Sequence, residues 1–175
     1  MPNDLSTSVR KVEEALKAHG LACQVLNMKE TTRSAQDAAN SLGCRVEQIV
    51  KSLVFMTKKT KKPILIVASG ANRVNTKKIR DILSEPVKMA DPDFVRAKTG
   101  FAIGGVPPLG HSNPLETFID EDLLNFAEIW AAAGTSNTMF KLSPDDLQKI
   151  TQGQVVSANW DCCSASPYLK IETAK

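Results

Sequence analysis

Histidine and cysteine are scarce in this chain: His19 and His111 are its two histidines, and Cys23, Cys44, Cys162 and Cys163 its four cysteines. No CxxC pair and no Cys/His ligand spacing occurs, which argues against a structural zinc site. Reduced thiols in a cytoplasm are the simplest reading. Cys162-Cys163, in the tail after the last predicted strand, reads as a structural pair with no assigned role. Long apolar runs are missing too, and Met1-Pro2-Asn3-Asp4 lacks the basic flank and apolar stretch of a leader, so neither secretion nor membrane insertion is expected. A Gly-Lys-Ser/Thr phosphate loop, a spaced three-glycine dinucleotide fingerprint and a Ser-His-Asp order are likewise not found. The sharpest absence is local. From Lys51 to Arg80 there are nine Lys/Arg and no Asp or Glu.

The 175 residues are 42% hydrophobic and 23% charged, enough for one substantial core and one domain over residues 1–175. A net charge of +3 says little about partners, but its distribution says more. Lys58, Lys59, Lys61 and Lys62 form a block, and Arg73, Lys77, Lys78 and Arg80 follow. Such a field suits a polyanion such as nucleic acid phosphate; the alternative is a lysine-rich hairpin tip kept for solubility.

Within that stretch Lys51 sits in the apolar run Ile49-Val50-Lys51-Ser52-Leu53-Val54-Phe55-Met56. Read as a strand, alternate side chains face opposite ways, so Lys51 shares a face with Ile49, Leu53 and Phe55. Either it is an inward cation that marks a site, or its stem lies on apolar surface while its head reaches water.

Periodicity predicts a mixed α+β fold with many short strands, in a curved or barrel-like sheet surrounded by short helices. Helices are expected from Ser6 to His19, from Ser34 to Leu42 before Gly43, from an Asn75 cap to Leu83, from Asp91-Pro92 onward, over Asp120 to Phe126, and after Ser143. Strands are expected at Leu21 to Met28, Val50 to Thr57, Pro63 to Ala68, Phe101 to Val106, Glu116 to Ile119, Glu128 to Ala133, Thr138 to Leu142 and Val155 to Ala158. Gly104 and Gly105, followed by Pro107 and Pro108, read as a preformed loop whose amides suit a carbonyl or phosphate oxygen, or as a structural turn. Gly134-Thr135-Ser136-Asn137 joins two predicted strands through small polar side chains, as a pocket wall or an ordinary hairpin.

Taken in order, Gln48 to Phe55, Ile66-Val67-Ala68-Ser69-Gly70, Gly104 to His111 and Gly134 to Leu142 resemble the YbaK/ProX (EbsC) family. That family comprises aminoacyl-tRNA deacylases related to the editing domain inserted in bacterial prolyl-tRNA synthetases. The resemblance spans about Thr31 to Ser157. It implies that Lys51 matches the family's central lysine and that the Gly-x-x-x-Pro loop falls on Gly104 and Pro108, with Gly105 beside it, holding the carbonyl or ribose end of the ester. Ser52, Ser69, Gly134, Thr135 and Ser136 fall at pocket positions, with His111 behind the loop. Gly134-Thr135-Ser136 departs from the basic Gly-Lys-Arg-Gly turn of some relatives, which leaves the amino acid removed open. Lys58, Lys59, Lys61, Lys62, Arg73, Lys77 and Lys78 would meet tRNA.

The activity so implied is that of a freestanding trans-editing hydrolase acting on a tRNA for proline that carries alanine, serine or cysteine. It needs no cofactor or metal, and its partners are the aminoacyl-tRNA acceptor end and, where one delivers it, a synthetase. In the implied mechanism Lys51 anchors the terminal phosphate or carbonyl, the Gly104 and Gly105 amides polarise the ester, and water attacks with help from the terminal ribose hydroxyl. Two other readings compete: a non-catalytic nucleic-acid-binding module of the same fold, and a small-molecule or protein-interaction domain whose basic stretch is only a solvated surface.

Overall fold

Residues 2–29 and 34–157 are described by the computed structural model, so the Cys162-Cys163 reading lies outside the described residues. The helices are α1 (Pro2–Ala18), α2 (Ala35–Leu42), α3 (Thr76–Leu83), α4 (Pro92–Thr99) and α5 (Pro144–Thr151). The strands are β1 (Val25–Asn27), β2 (Val50–Thr57), β3 (Pro63–Ser69), β4 (Val87–Met89), β5 (Glu116–Asp120), β6 (Ile129–Ala132), β7 (Thr138–Leu142) and β8 (Gln154–Val156). They form two sheets, ordered β4-β2-β3-β5-β8 and β1-β7-β6, where the sequence suggested one curved sheet. The larger sheet is mixed, because β3 runs parallel to β5 and β5 to β8 while β2 pairs antiparallel with β3 and β4. A bridge between Ile49 and Trp130 links the sheets.

Local chemistry explains the helix ends. Ser34, Asn75, Asp91 and Ser143 each accept a hydrogen bond from a backbone amide of the first turn, a cap worth about 1 kcal/mol apiece. Gly43 and Gly100 close α2 and α4 in the left-handed conformation that a side chain disfavours.

Alternation along β2 divides two cores. Val50, Val54 and Met56 join Leu65 and Val67 of β3 in the cluster between the sheets, sealed by Val12 and Leu16 of α1, Phe140 of β7 and Leu147 of α5. Phe55, with Leu53 packed beside it, faces Ile64, Ile66, Phe118 and Ile79 of α3 on the opposite side. Lys51 belongs to this second face by alternation, whereas Ile49 precedes the strand and packs with Ala38, Ala39 and Met139 of a third cluster.

Two expectations need correction, and one strand was not expected. Residues 101–106 form no strand: Gly104 takes a φ of 94°, the Gly105 amide donates back to the Ala102 carbonyl, and Ile103 stands exposed where alternation would bury it. The strand expected from Leu21 is limited to β1, where Val25, Leu26 and Asn27 find partners on β7. β4 was not foreseen, since three residues carry no readable period and Val87–Met89 is a strand by virtue of pairing with the end of β2.

Candidate active site

β4 pairs with Phe55–Thr57 of β2, and at the other end of the strand Ile49 bridges to β6. Along the intervening edge, Val50 to Val54, a cavity of about 310 Å³ opens. Ser34, Ala35 and Ala38 of α2, Ile103, Gly104 and Val106 of the loop after α4, and Thr135, Thr138 and Met139 around the β6–β7 turn close its sides. Its wall is mostly apolar, relieved by the hydroxyls of Ser34, Ser52, Thr135 and Thr138 and by Lys51. Among the described lining residues there is no carboxylate, thiol or imidazole.

Of the residues expected at a site, Lys51, Ser52, Gly104 and Thr135 line this cavity. Ser69, Gly105, Pro108, His111, Gly134 and Ser136 do not. A Cβ on Gly105 would sit 2.6 Å from Thr135 Cα and 2.7 Å from the Gly134 carbonyl oxygen, so only glycine lets the two loops meet. Pro108 is buried, and the His111 ring bonds the Pro107 carbonyl at 2.7 Å while standing edge-on to Phe101. Burial holds the His111 pKa below the ordinary 6.5, against the opposing pull of that carbonyl, which favours a neutral ring that pins the loop. The Thr135 hydroxyl meets Thr138 Oγ1 at 2.7 Å and donates to Asn137 Oδ1 at 2.9 Å, which fixes the β6–β7 turn. Ser52 differs from these. Its buried hydroxyl has no hydrogen-bond partner among the described residues, although the residue faces the cavity.

Lys51 is half-buried and its ammonium donates to the Asn72 carbonyl at 2.5 Å. Burial lowers its pKa from the ordinary 10.5, nearby Arg73 lowers it further, and the field of Asp120 opposes both. Asp120, at the end of β5, is completely buried. It accepts from the Ser69 amide at 3.0 Å, from Asn72 Nδ2 at 2.8 Å and from the Asp122 amide at 3.1 Å. Burial raises its pKa; the three donors oppose this, and the charge of Asp122 adds to it. Asn72 Nδ2 also donates to Asp122 at 2.7 Å, and the Ser69 hydroxyl donates to the Glu47 carbonyl at 2.8 Å. Asn72, Asp120 and Asp122 escaped the sequence reading. The available signal was a carboxylate closing the apolar run Thr117-Phe118-Ile119-Asp120.

The basic stretch is split by the hairpin. Arg73, Lys77 and Lys78 follow β3 at the Lys51 end, and Lys78 donates to the Ser157 carbonyl at 2.7 Å. Lys58, Lys59, Lys61 and Lys62 are exposed at the far tip, beyond Thr57, which lies six residue steps or about 20 Å along β2 from Lys51. Glu85 ties that tip down, accepting from the Lys59 and Thr60 amides at 2.6 Å each. Cys23 and Cys44 are half-buried free thiols, and burial pushes both pKa values up, away from nucleophilic thiolate.

Comparison with known proteins places this geometry in context. Residues 29–150 match the aminoacyl-tRNA editing domain. The chain is 30% identical over 140 residues to the uncharacterized protein YwhH of Bacillus subtilis, covering 78% of this chain and 88% of that protein. It is 30% identical over 122 residues to EbsC of Enterococcus faecalis, a candidate Cys-tRNA(Pro)/Cys-tRNA(Cys) deacylase, covering 69% of this chain and 74% of that one. A crystal structure of a candidate trans-editing enzyme for prolyl-tRNA synthetase superposes with a TM-score of 0.83 at 42% identity, over 87% of this chain and 97% of that one.

Proposed function

Since the chain belongs to the aminoacyl-tRNA editing domain family, we propose that it is a trans-editing deacylase that hydrolyses the ester between a small wrong amino acid and the tRNA for proline. The observation that carries this reading is Lys51, a half-buried cation at the edge of a small, mostly apolar cavity, in a chain related to a candidate deacylase and a candidate trans-editing enzyme. The cavity suits alanine, serine or cysteine, whose side chains need little more than an apolar pocket with a few hydroxyls.

One N–H of Lys51 is taken by Asn72, and its remaining donors hold the terminal phosphate or the ester carbonyl of the acceptor end. Gly104 is the loop position from which a backbone amide meets the developing oxyanion; Gly105, its amide turned to Ala102, keeps that loop against the β6–β7 turn. With no carboxylate or imidazole among the described lining residues, the attacking water relies on the substrate's own terminal ribose hydroxyl. Water adds to the acyl carbon, the acyl C–O bond breaks, and free amino acid and uncharged tRNA leave.

The test is a panel of tRNA for proline charged with alanine, serine, cysteine or proline. At least one mischarged form should be hydrolysed and the prolyl form spared. Lys51→Ala should fold and lose roughly 100-fold or more of that activity, the scale of a deleted electrostatic contact to a transition state. Absence of hydrolysis across the panel, or unchanged turnover in the variant, would overturn the proposal.

A further inference from the structure

Lys51 does not aim itself. Its side chain is half-buried at a strand edge, and the group that receives its ammonium is a backbone carbonyl, which carries no charge to offset the cost of burial. That carbonyl belongs to Asn72, itself 6% exposed, and both hydrogens of the Asn72 side-chain amide are committed: one to Asp120 at 2.8 Å, one to Asp122 at 2.7 Å. Asp120 is in turn locked by the amides of Ser69 and Asp122. Three donors converge on one carboxylate, the pattern of an ionised acceptor.

We propose that Asn72 and Asp120 form a bracket that positions Lys51: Asp120 is the buried counter-ion of the site, and Asn72, clamped between two carboxylates, presents the carbonyl that sets where the ammonium points. The inference rests on the reading of Lys51 as the residue that meets the ester, but its electrostatic half does not depend on it. The charge of Arg73 opposes that of Lys51 and the charge of Asp120 favours it, while Asp122 is linked to it through Asn72. Lys78, on α3, feels the fields of Glu121 and Asp120, both of which favour its charge. Asn72 and Asp120 are thus positioning residues that touch no substrate themselves.

Lysine titration in protein labelled with 13C at Cε, with the Lys51 resonance assigned through Lys51→Arg, reads the bracket directly. In Asp120→Asn the Lys51 midpoint should fall, as expected when a nearby opposite charge is removed. Lys78 should move the same way. Deacylation by this variant should lose about tenfold in kcat with KM held within about twofold, because aim is used in the transition state and not in uniform binding. If Asp120→Asn fails to fold, Asp122→Asn at the half-buried neighbour decides, with a smaller shift in the same direction. A Lys51 midpoint that stays put in a folded variant, or an unchanged kcat, would overturn the bracket. A wild-type protein without deacylase activity would sink the proposed function instead, with the titration still deciding the electrostatics.

Discussion

Ser52 is where a lone atom says most about choice of substrate. A buried hydroxyl without a partner costs about 1–3 kcal/mol, and this one, unpartnered among the described residues, belongs to a residue that lines the cavity in which, on the proposed reading, the amino acid would sit. Replacing it by alanine should therefore raise stability by about 1 kcal/mol while lowering kcat/KM for seryl and cysteinyl substrates about tenfold relative to alanyl, the value of one hydrogen bond to a polar side chain. Equal loss on all three substrates would show that the hydroxyl does not read the side chain. Its neighbour Lys51 was readable as anomalous from sequence because a cation interrupts an apolar run. Its true support was not, since Asn72 lies 21 positions away and Asp120 a further 48 beyond Asn72.

Among the elements, the β2–β3 hairpin changes the meaning of the basic stretch. In the sequence it is one acid-free run; in the fold it is two groups separated by the length of a strand, with Lys58, Lys59, Lys61 and Lys62 beyond Thr57, itself about 20 Å along β2 from Lys51. On the proposed reading, side chains so far from the ester would help to hold the tRNA but would take no part in the chemistry. Replacing those four lysines by alanine should weaken tRNA binding, flatten its salt dependence by about 0.9 for each phosphate no longer neutralised, and leave kcat at saturating tRNA unchanged. Binding and slope equal to wild type would return the tip to a solvated surface. The elements themselves were largely legible, because α2 to α5 carry capping side chains or Pro at their starts and β2 and β7 have the bounds that their apolar runs suggest. Residues 101–106 misled because an apolar run with two glycines reads as a strand, while the Gly105 to Ala102 hydrogen bond and the left-handed Gly104 make it a loop.

On the scale of the molecule, the glycine-proline loop is held by a buried ring whose protonation the fold resists. The folded pKa of His111 lies below its ordinary 6.5, so as pH falls through that value the unfolded chain takes up a proton that the folded chain refuses. Stability is thus full above about pH 6.5 and declines as pH falls below it. Chemical denaturation between pH 7.5 and 5 should show this slope, and His111→Gln should flatten it; an identical slope in the variant would remove His111 from the account.

The amino-acid sequence by itself determined the helix starts, the central hairpin, the anomaly of Lys51 and the family motifs, because each is written in residues a few positions apart. Only the tertiary structure decided which of those motif residues border the cavity, that the lysine block stands a strand's length from Lys51, and that Asp120 and Asn72 brace it. The physical reason lies in the sheet. Parallel pairing of β3 with β5 brings together chain segments joined by a long crossover, and no local propensity records which side chains such a crossover will set face to face.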